Sequence, residues 1–163
     1  MHPSLKYGSH LPVLMAAVQN TRGDILELGC GTFSTPYLHA VCVIEKRRVL
    51  TLDNDRRWLD YFTKDYTSEK HHFELITNWG RAKIDQKWDV VLVDHAPAER
   101  RIVEIKRLAQ LAKYIIIHDS NGRYEKDYHY SRIYPLFRYQ LDYTKSQPST
   151  TVLSNFTRLK NLV

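Results

Sequence analysis

The sequence is poor in cysteine, with two in 163 residues, and none of its apolar runs is long. Each shortage excludes something. Two thiols, Cys30 and Cys42, are too few for a disulfide framework and point to a reducing, cytoplasmic setting. The runs DVVLVD and YIIIHD fall far short of the roughly 20 apolar residues that cross a bilayer, so no membrane partner is expected. The opening MHPSLKYGSH has no apolar signal core, and nothing argues for export. There is no internal repeat, low-complexity tract or Gly/Ser-rich linker, so residues 1–163 are read as one domain. What is present is ordinary for a globular chain: 43% apolar and 26% charged residues, which excludes global disorder. The net charge of +6 is spread over pairs and triplets such as Lys46-Arg47-Arg48, Arg56-Arg57, Arg100-Arg101 and Lys106-Arg107. It reads first as a solvated basic surface, with a polyanion-binding face as the alternative.

Strand-like and helix-like stretches alternate. Residues 10–20 place Leu14, Ala17 and Val18 on one helical face, and Ile25 to Leu28 form a short strand. A helix is predicted from Thr35-Pro36, a capping residue followed by proline, to about Val43. Strand 47–53, helix 56–66, strand 72–77, the apolar run 87–95, helix 96–112 and strand 114–119 follow. FRYQLDYTK and TTVLSNF, on either side of Ser146-Gln147-Pro148-Ser149, read as an antiparallel pair. The expected fold is α/β: a single doubly wound, mostly parallel sheet with a C-terminal antiparallel hairpin. Ligands of such sheets bind beyond the carboxyl ends of the strands. There the sequence places Glu27 to Thr32, Asp53 to Asp55, Asn78-Trp79, Asp94-His95 and His118 to Asn121.

The turn after the first strand, GCGTFS, narrows the ligand. Gly29 and Gly31 allow close approach, but a dinucleotide fingerprint needs a third glycine where Ser34 stands. A P-loop needs Lys followed by Ser or Thr, which is also missing. An adenosine ligand without phosphates is favoured. Asp53, ending the second strand 24 positions after Gly29, is placed to accept from both ribose hydroxyls, while Asn54 or Asp55 caps the helix behind it.

ILELGCGT, LTLDND and WDVVLVDHAP together resemble motifs of the class I S-adenosylmethionine-dependent methyltransferases, over about residues 5–160. The resemblance implies S-adenosylmethionine as cofactor, with Gly29 and Gly31 under its methionine portion and Asp53 on the ribose. It also implies Asn78 or Trp79 beside the adenine, and Asp94 and His95 facing the methyl group. Tyr7, Gly8, Glu27, Cys30, Thr32 and Asn54 complete the expected cofactor-binding set. Phe33 departs from the pattern, since many members carry glycine there.

VDHAPAERR with IIIHDSN is similar to the metal-dependent catechol O-methyltransferase branch, in which two aspartates and an asparagine bind magnesium. Asp94 and Asp119 match the aspartates. Ser120 replaces the asparagine, with Asn121 one step on, and Pro97 stands where that branch has its lysine base. A bound magnesium or calcium is therefore not favoured. Asp94, His95 and Asp119 are the expected catalytic residues, and His118 is read as half-buried and hydrogen-bonded to backbone rather than as a base. His71 and His72 are expected at the surface. The expected acceptor is a small hydroxylated molecule. RNA is the alternative, since GRYEKDYHYSRIYPLFRY interleaves cations with aromatic rings suited to stacking bases. A protein that binds the cofactor without transferring its methyl group is the second alternative.

Overall fold

In the computed structural model, which describes residues 4–160 and 162, seven strands form one sheet in the order β3-β2-β1-β4-β5-β7-β6. The strands are β1 (Ile25–Leu28), β2 (Val49–Asp53), β3 (His71–Leu75), β4 (Trp88–Val93), β5 (Ala112–Ile117), β6 (Tyr139–Tyr143) and β7 (Thr150–Ser154). The first five are mutually parallel, and β7 pairs antiparallel with both β5 and β6. The expected doubly wound sheet and its closing hairpin are both present.

Side chains of the buried strands alternate between two apolar layers, as the two-residue pleat requires. Ile25, Val90, Leu92 and Ile116 pack with Val13, Leu14 and Ala17 of α1 (Leu11–Gln19) and Leu38 and Val41 of α2 (Ser34–Glu45). Leu26, Leu28, Val91, Val93 and Ile117 face the other way, onto Ile105 and Leu108 of α4 (Arg101–Leu108) and onto Trp79, Tyr130 and Ile133. The helix α3 (Arg56–Tyr66) adds Leu59 and Phe62 to a smaller cluster with Cys30. Asp55 caps α3, its Oδ1 accepting from the backbone N–H groups of Arg57 and Trp58. No helix among the described residues is long and apolar enough to cross a membrane.

Four local expectations are corrected. The helix expected over 96–112 is α-helical only from Arg101 to Leu108, and Ala112 opens β5. Thr35 does not cap α2. The helix starts at Ser34, and the Thr35 side chain turns inward. His71 is fully buried, although its neighbour His72 is exposed. Arg47, read as part of a basic surface, is 4% exposed: its guanidinium donates to the carbonyls of Val18 and Gly23 and to the Thr21 hydroxyl.

The chain runs outward from β1 to β3 and then crosses back to β4, so the strand order switches between β1 and β4. The crevice at their carboxyl ends is where such a sheet takes a ligand.

Candidate functional site at the switch point

The glycine turn sits directly in this crevice. Gly29 has φ +91°, and a Cβ there would lie 2.7 Å from both the carbonyl carbon and oxygen of Asp94. Only glycine lets β1 leave its strand this close to the end of β4. Asp53 then ties the turn to β2. Its Oδ2 accepts from the Cys30 N–H at 2.9 Å and from the Cys30 thiol at 3.2 Å, and its Oδ1 accepts from the Asp55 N–H. Burial and the Asp53 carboxylate push the Cys30 thiol up, so it stays protonated. Outside the turn, the Trp58 indole N–H donates to the Cys30 carbonyl at 2.6 Å.

Beneath the turn lies a buried polar chain. Thr35 Oγ1 accepts from the Gly31 N–H and donates to Glu27, whose Oε2 also accepts from Thr51 Oγ1 at 2.7 Å. Because the Thr51 proton goes to Glu27, Thr51 accepts in turn from His71 Nε2, 2.9 Å away. Glu27 is fully buried, and this burial pushes its carboxyl up to about 7, against the hydroxyl hydrogen bonds of Ser34, Thr51 and Thr35. It holds the glycine turn from below.

The sign of the resulting pH dependence is fixed. Between its ordinary value of 4.5 and about 7, Glu27 keeps its proton in the fold after the unfolded chain has lost it. Stability therefore falls as pH rises through that window, by about 3 kcal/mol in all. Glu27→Gln abolishes the loss. Urea unfolding should find variant and parent alike at about pH 4, and the variant ahead by about 3 kcal/mol at about pH 8.5. Burial also lowers His71 to about 3 and His10 to about 4, giving the opposite slope below 6.5. Both are common to the two proteins and cancel in the difference.

A second polar network covers the ends of β4 and β5. Asp94 Oδ1 accepts from Arg101 Nη2 at 2.9 Å, and its Oδ2 lies 3.2 Å from His118 Nδ1. Burial works against the Asp94 charge, yet the His118 contact and the Arg101 guanidinium hold its carboxyl below the usual carboxylate range. Arg101 is 6% exposed and fans out further, to the carbonyls of His95 and His118, while its guanidinium lies over the Tyr128 ring. Asp119, at φ 58°, accepts from the Tyr128 hydroxyl and lies 3.7 Å from Arg101. Ser9 and His10, just before α1, close the network from the amino-terminal side, with Ser9 Oγ 2.9 Å from His118 Nε2.

No family model matches the sequence, and no curated protein matches it either. Solved structures do resemble its backbone. Cofactor-bound Rv0187 from MTB superposes with a TM-score of 0.67 at 14% identity, over 96% of this chain and 83% of its own. Human methyltransferase-like protein 13 in complex with SAH gives 0.62 at 14%, with the same coverage. The chain has the class I methyltransferase fold. A spermidine synthase in complex with AdoDATO also matches, at 0.63 and 15% identity over 91% of this chain and 59% of its own. The class I fold is thus shared by enzymes of more than one reaction.

Within this fold, the residues singled out from the sequence separate into three groups. Gly29, Cys30, Gly31, Asp53 and Asp94 converge on the crevice, with Thr32 half-buried and Asn54 exposed at its rim. Gly8 is brought to the turn by a short 3-10 segment, Leu5–Gly8. The Phe33 ring lies 3.0 Å from where a Gly8 Cβ would be, so Phe33 packs against the amino-terminal segment, and Tyr7 is 65% exposed. The remaining residues turn elsewhere. Trp79 is buried with its indole donating to the Ala96 carbonyl, and Asn78, exposed, caps the turn at Gly80. His95 is buried with its ring 4.1 Å from Trp79 and its Nε2 3.3 Å from Glu104. The class I comparison does not support the catechol-type branch. Its two aspartates do meet, Asp94 Oδ2 at 3.2 Å and Asp119 Oδ2 at 3.8 Å from His118 Nδ1, but around His118 and the Arg101 cation. Asp119 is engaged by Tyr128, and Asn121 bonds Ser149 and Gln147.

The sequence does not expose two residues of this network. Arg101 was read as one half of an exposed basic pair, and only its place one turn into the fourth crossover, facing a strand-end aspartate, signals otherwise. His10 was read as the first residue of a helix, and nothing in its neighbourhood marks it. The tyrosines of 122–139 are largely spent on packing: Tyr130 is 2% exposed and stacks at 5.1 Å on Tyr128.

Proposed function

We propose that the protein is an S-adenosylmethionine-dependent methyltransferase acting on a small hydroxylated acceptor. The observation that carries this reading is the meeting of the glycine turn, Asp53 and Asp94 at the β1/β4 switch point. Two oxygens of Asp53 already hold the turn and the start of α3, which pre-orients the carboxylate and leaves lone pairs for a ribose hydroxyl. The cofactor, when bound, supplies an electrophilic methyl group. The chain's part is to grip the adenosine at Asp53, to seat the methionine portion over Gly29 to Gly31, and to present the acceptor at Asp94. A small acceptor is favoured over RNA because Tyr128 and Tyr130 stack on each other and cover Arg101, so they do not form a platform for bases.

Calorimetry with S-adenosylhomocysteine and with NAD separates this reading from a dinucleotide oxidoreductase. The homocysteine product should bind and NAD should not, and the reverse result would sink the proposal. Asp53→Ala should weaken product binding by about 1–3 kcal/mol, the range for stranding the polar partners of a buried group. Transfer from labelled S-adenosylmethionine to phenols, RNA or protein then identifies the acceptor, and binding without transfer to any of them would mark a cofactor-binding protein.

A further inference from the structure

His10 is 2% exposed, and neither of its ring nitrogens has a hydrogen-bond partner among the described residues. A buried polar group left in this state is destabilising, which calls for an explanation. The ring is not simply wedged among apolar side chains. It meets His118 edge to face, with centroids 4.8 Å apart, and His118 in turn faces Asp94. One ligand atom each from His10, Asp94 and His118 can be chosen so that all three lie within 4.8 Å of one another.

The hydrogen bonds around His118 carry the argument further. The Ser9 hydroxyl has one proton, and it donates this to the Pro148 carbonyl at 2.7 Å. Ser9 Oγ must therefore accept from His118, which places a hydrogen on Nε2. In the neutral ring the lone pair is then on Nδ1, pointing at an Asp94 carboxylate oxygen 3.2 Å away. Two lone pairs facing each other at that distance repel, so either a second proton on His118 or a metal ion sits between them. The other Asp94 oxygen is already neutralised by Arg101, so the vacant demand is on the side of His10 and His118.

We propose that His10, Asp94 and His118 form a binding site for a single divalent transition-metal ion of the zinc type. Two imidazoles and one carboxylate are the donor set such ions prefer, whereas magnesium and calcium take oxygens. Metal–ligand bonds of about 2.0–2.2 Å in a tetrahedron set the ligand atoms roughly 3.3 Å apart, as His118 and Asp94 already are. A side-chain rotation of His10, from within 4.8 Å of the other two ligand atoms, completes the triad. Ser9 acts as a positioning residue, fixing the orientation of the His118 ring as outer-shell partners of metal-bound histidines do. The site has three protein ligands and hence an open fourth position. The Asp94 side chain is 27% exposed and His118 only 4%, so that position opens on the Asp94 side, toward the crevice. Resting on the methyltransferase reading, the ion's open position would take the acceptor oxygen.

The test uses the full chain, stripped with a chelator and titrated with Zn2+ by calorimetry and with Co2+ by visible absorption. One ion per chain should bind, and Co2+ should develop the intense visible bands of a four-coordinate site. His10→Phe, which keeps the ring volume, should weaken Zn2+ binding by more than the roughly 10–100-fold that outer-shell partners contribute. His72→Gln, at an exposed histidine, should leave binding unchanged. If the unaltered protein takes up no Zn2+ and gives no such Co2+ spectrum, a proton alone bridges His118 and Asp94 and the proposal is wrong. It is equally wrong if His10→Phe, shown to be folded by circular dichroism, binds Zn2+ as tightly as the parent. S-adenosylhomocysteine binding to the same samples separates the two readings. If the homocysteine product binds and Zn2+ does not, only the metal site fails. If Zn2+ binds and the product does not, only the methyltransferase reading fails.

Discussion

Arg101→Leu should lower the stability of the protein by about 3–5 kcal/mol, the usual result of removing one partner from a buried ion pair. The guanidinium is 6% exposed and serves Asp94 Oδ1 at 2.9 Å and the His95 carbonyl at 2.7 Å, with longer contacts to the His118 carbonyl and the Tyr130 hydroxyl. Leucine fills part of the volume but leaves the Asp94 carboxylate without its guanidinium partner and the His95 carbonyl without its side-chain donor, while the His118 carbonyl keeps the Tyr130 hydroxyl. Lysine keeps the charge but places a single point where the planar fork reached several acceptors, so Arg101→Lys should recover only part of the loss. Urea unfolding measures both, read as a lower midpoint with an unchanged denaturant slope. A loss below about 1 kcal/mol for the leucine variant, the level of an exposed pair, would show that the network is not what holds α4 to the ends of β4 and β5.

Gly29→Ala should also be severe, at about 2–5 kcal/mol, because two penalties add. A positive φ costs an alanine about 1–2 kcal/mol, and overpacking adds about 1–3. The added methyl group would stand 2.7 Å from Asp94 backbone atoms and 2.8 Å from the His95 nitrogen, and backbone at the end of a central strand has little room to yield. Gly31→Ala is the control. Its Cβ would meet only the Ser34 hydroxyl, at 3.0 Å, which can rotate aside, so its loss should be well below that of Gly29→Ala. Thermal unfolding of the two variants tests this, and equal losses would contradict the geometry.

These two glycines also mark the limit of what could be read from the sequence. Both stand in GCGTF and both signal a tight turn, but only the neighbouring strand β4 decides which one is irreplaceable. Where the signal was local, it held. The apolar runs became β1, β4 and β5, Asp55 became the cap of α3, and Asp53 and Asp94 ended up beside the glycine turn because strand order alone brings them there. Where the determinant was distant, it failed. Thr35 has the composition of a helix cap, but Glu27, eight residues away and on the adjoining strand, draws its hydroxyl inward. His71 and Arg101 look like solvent-facing polar residues until Thr51 and Asp94 give them buried partners. His10 gains its meaning only from His118, 108 positions later, so no window of sequence exposes the pair.

The strand order has one further consequence, for how the molecule is made. Strand β7 is inserted between β5 and β6, although it is the last of the seven to leave the ribosome. Until residues 150–154 arrive, β5 is left with an unpaired flank of backbone donors and acceptors on a run of isoleucines, and β6 has no neighbour to join. A nascent chain halted before that point presents a sticky, ready-made template to any other strand nearby. Completion of the hairpin is therefore the step that ends the vulnerability of the growing chain to aggregation. Late-acting substitutions in 150–154 should lower the yield of native protein more than their effect on the finished fold would suggest.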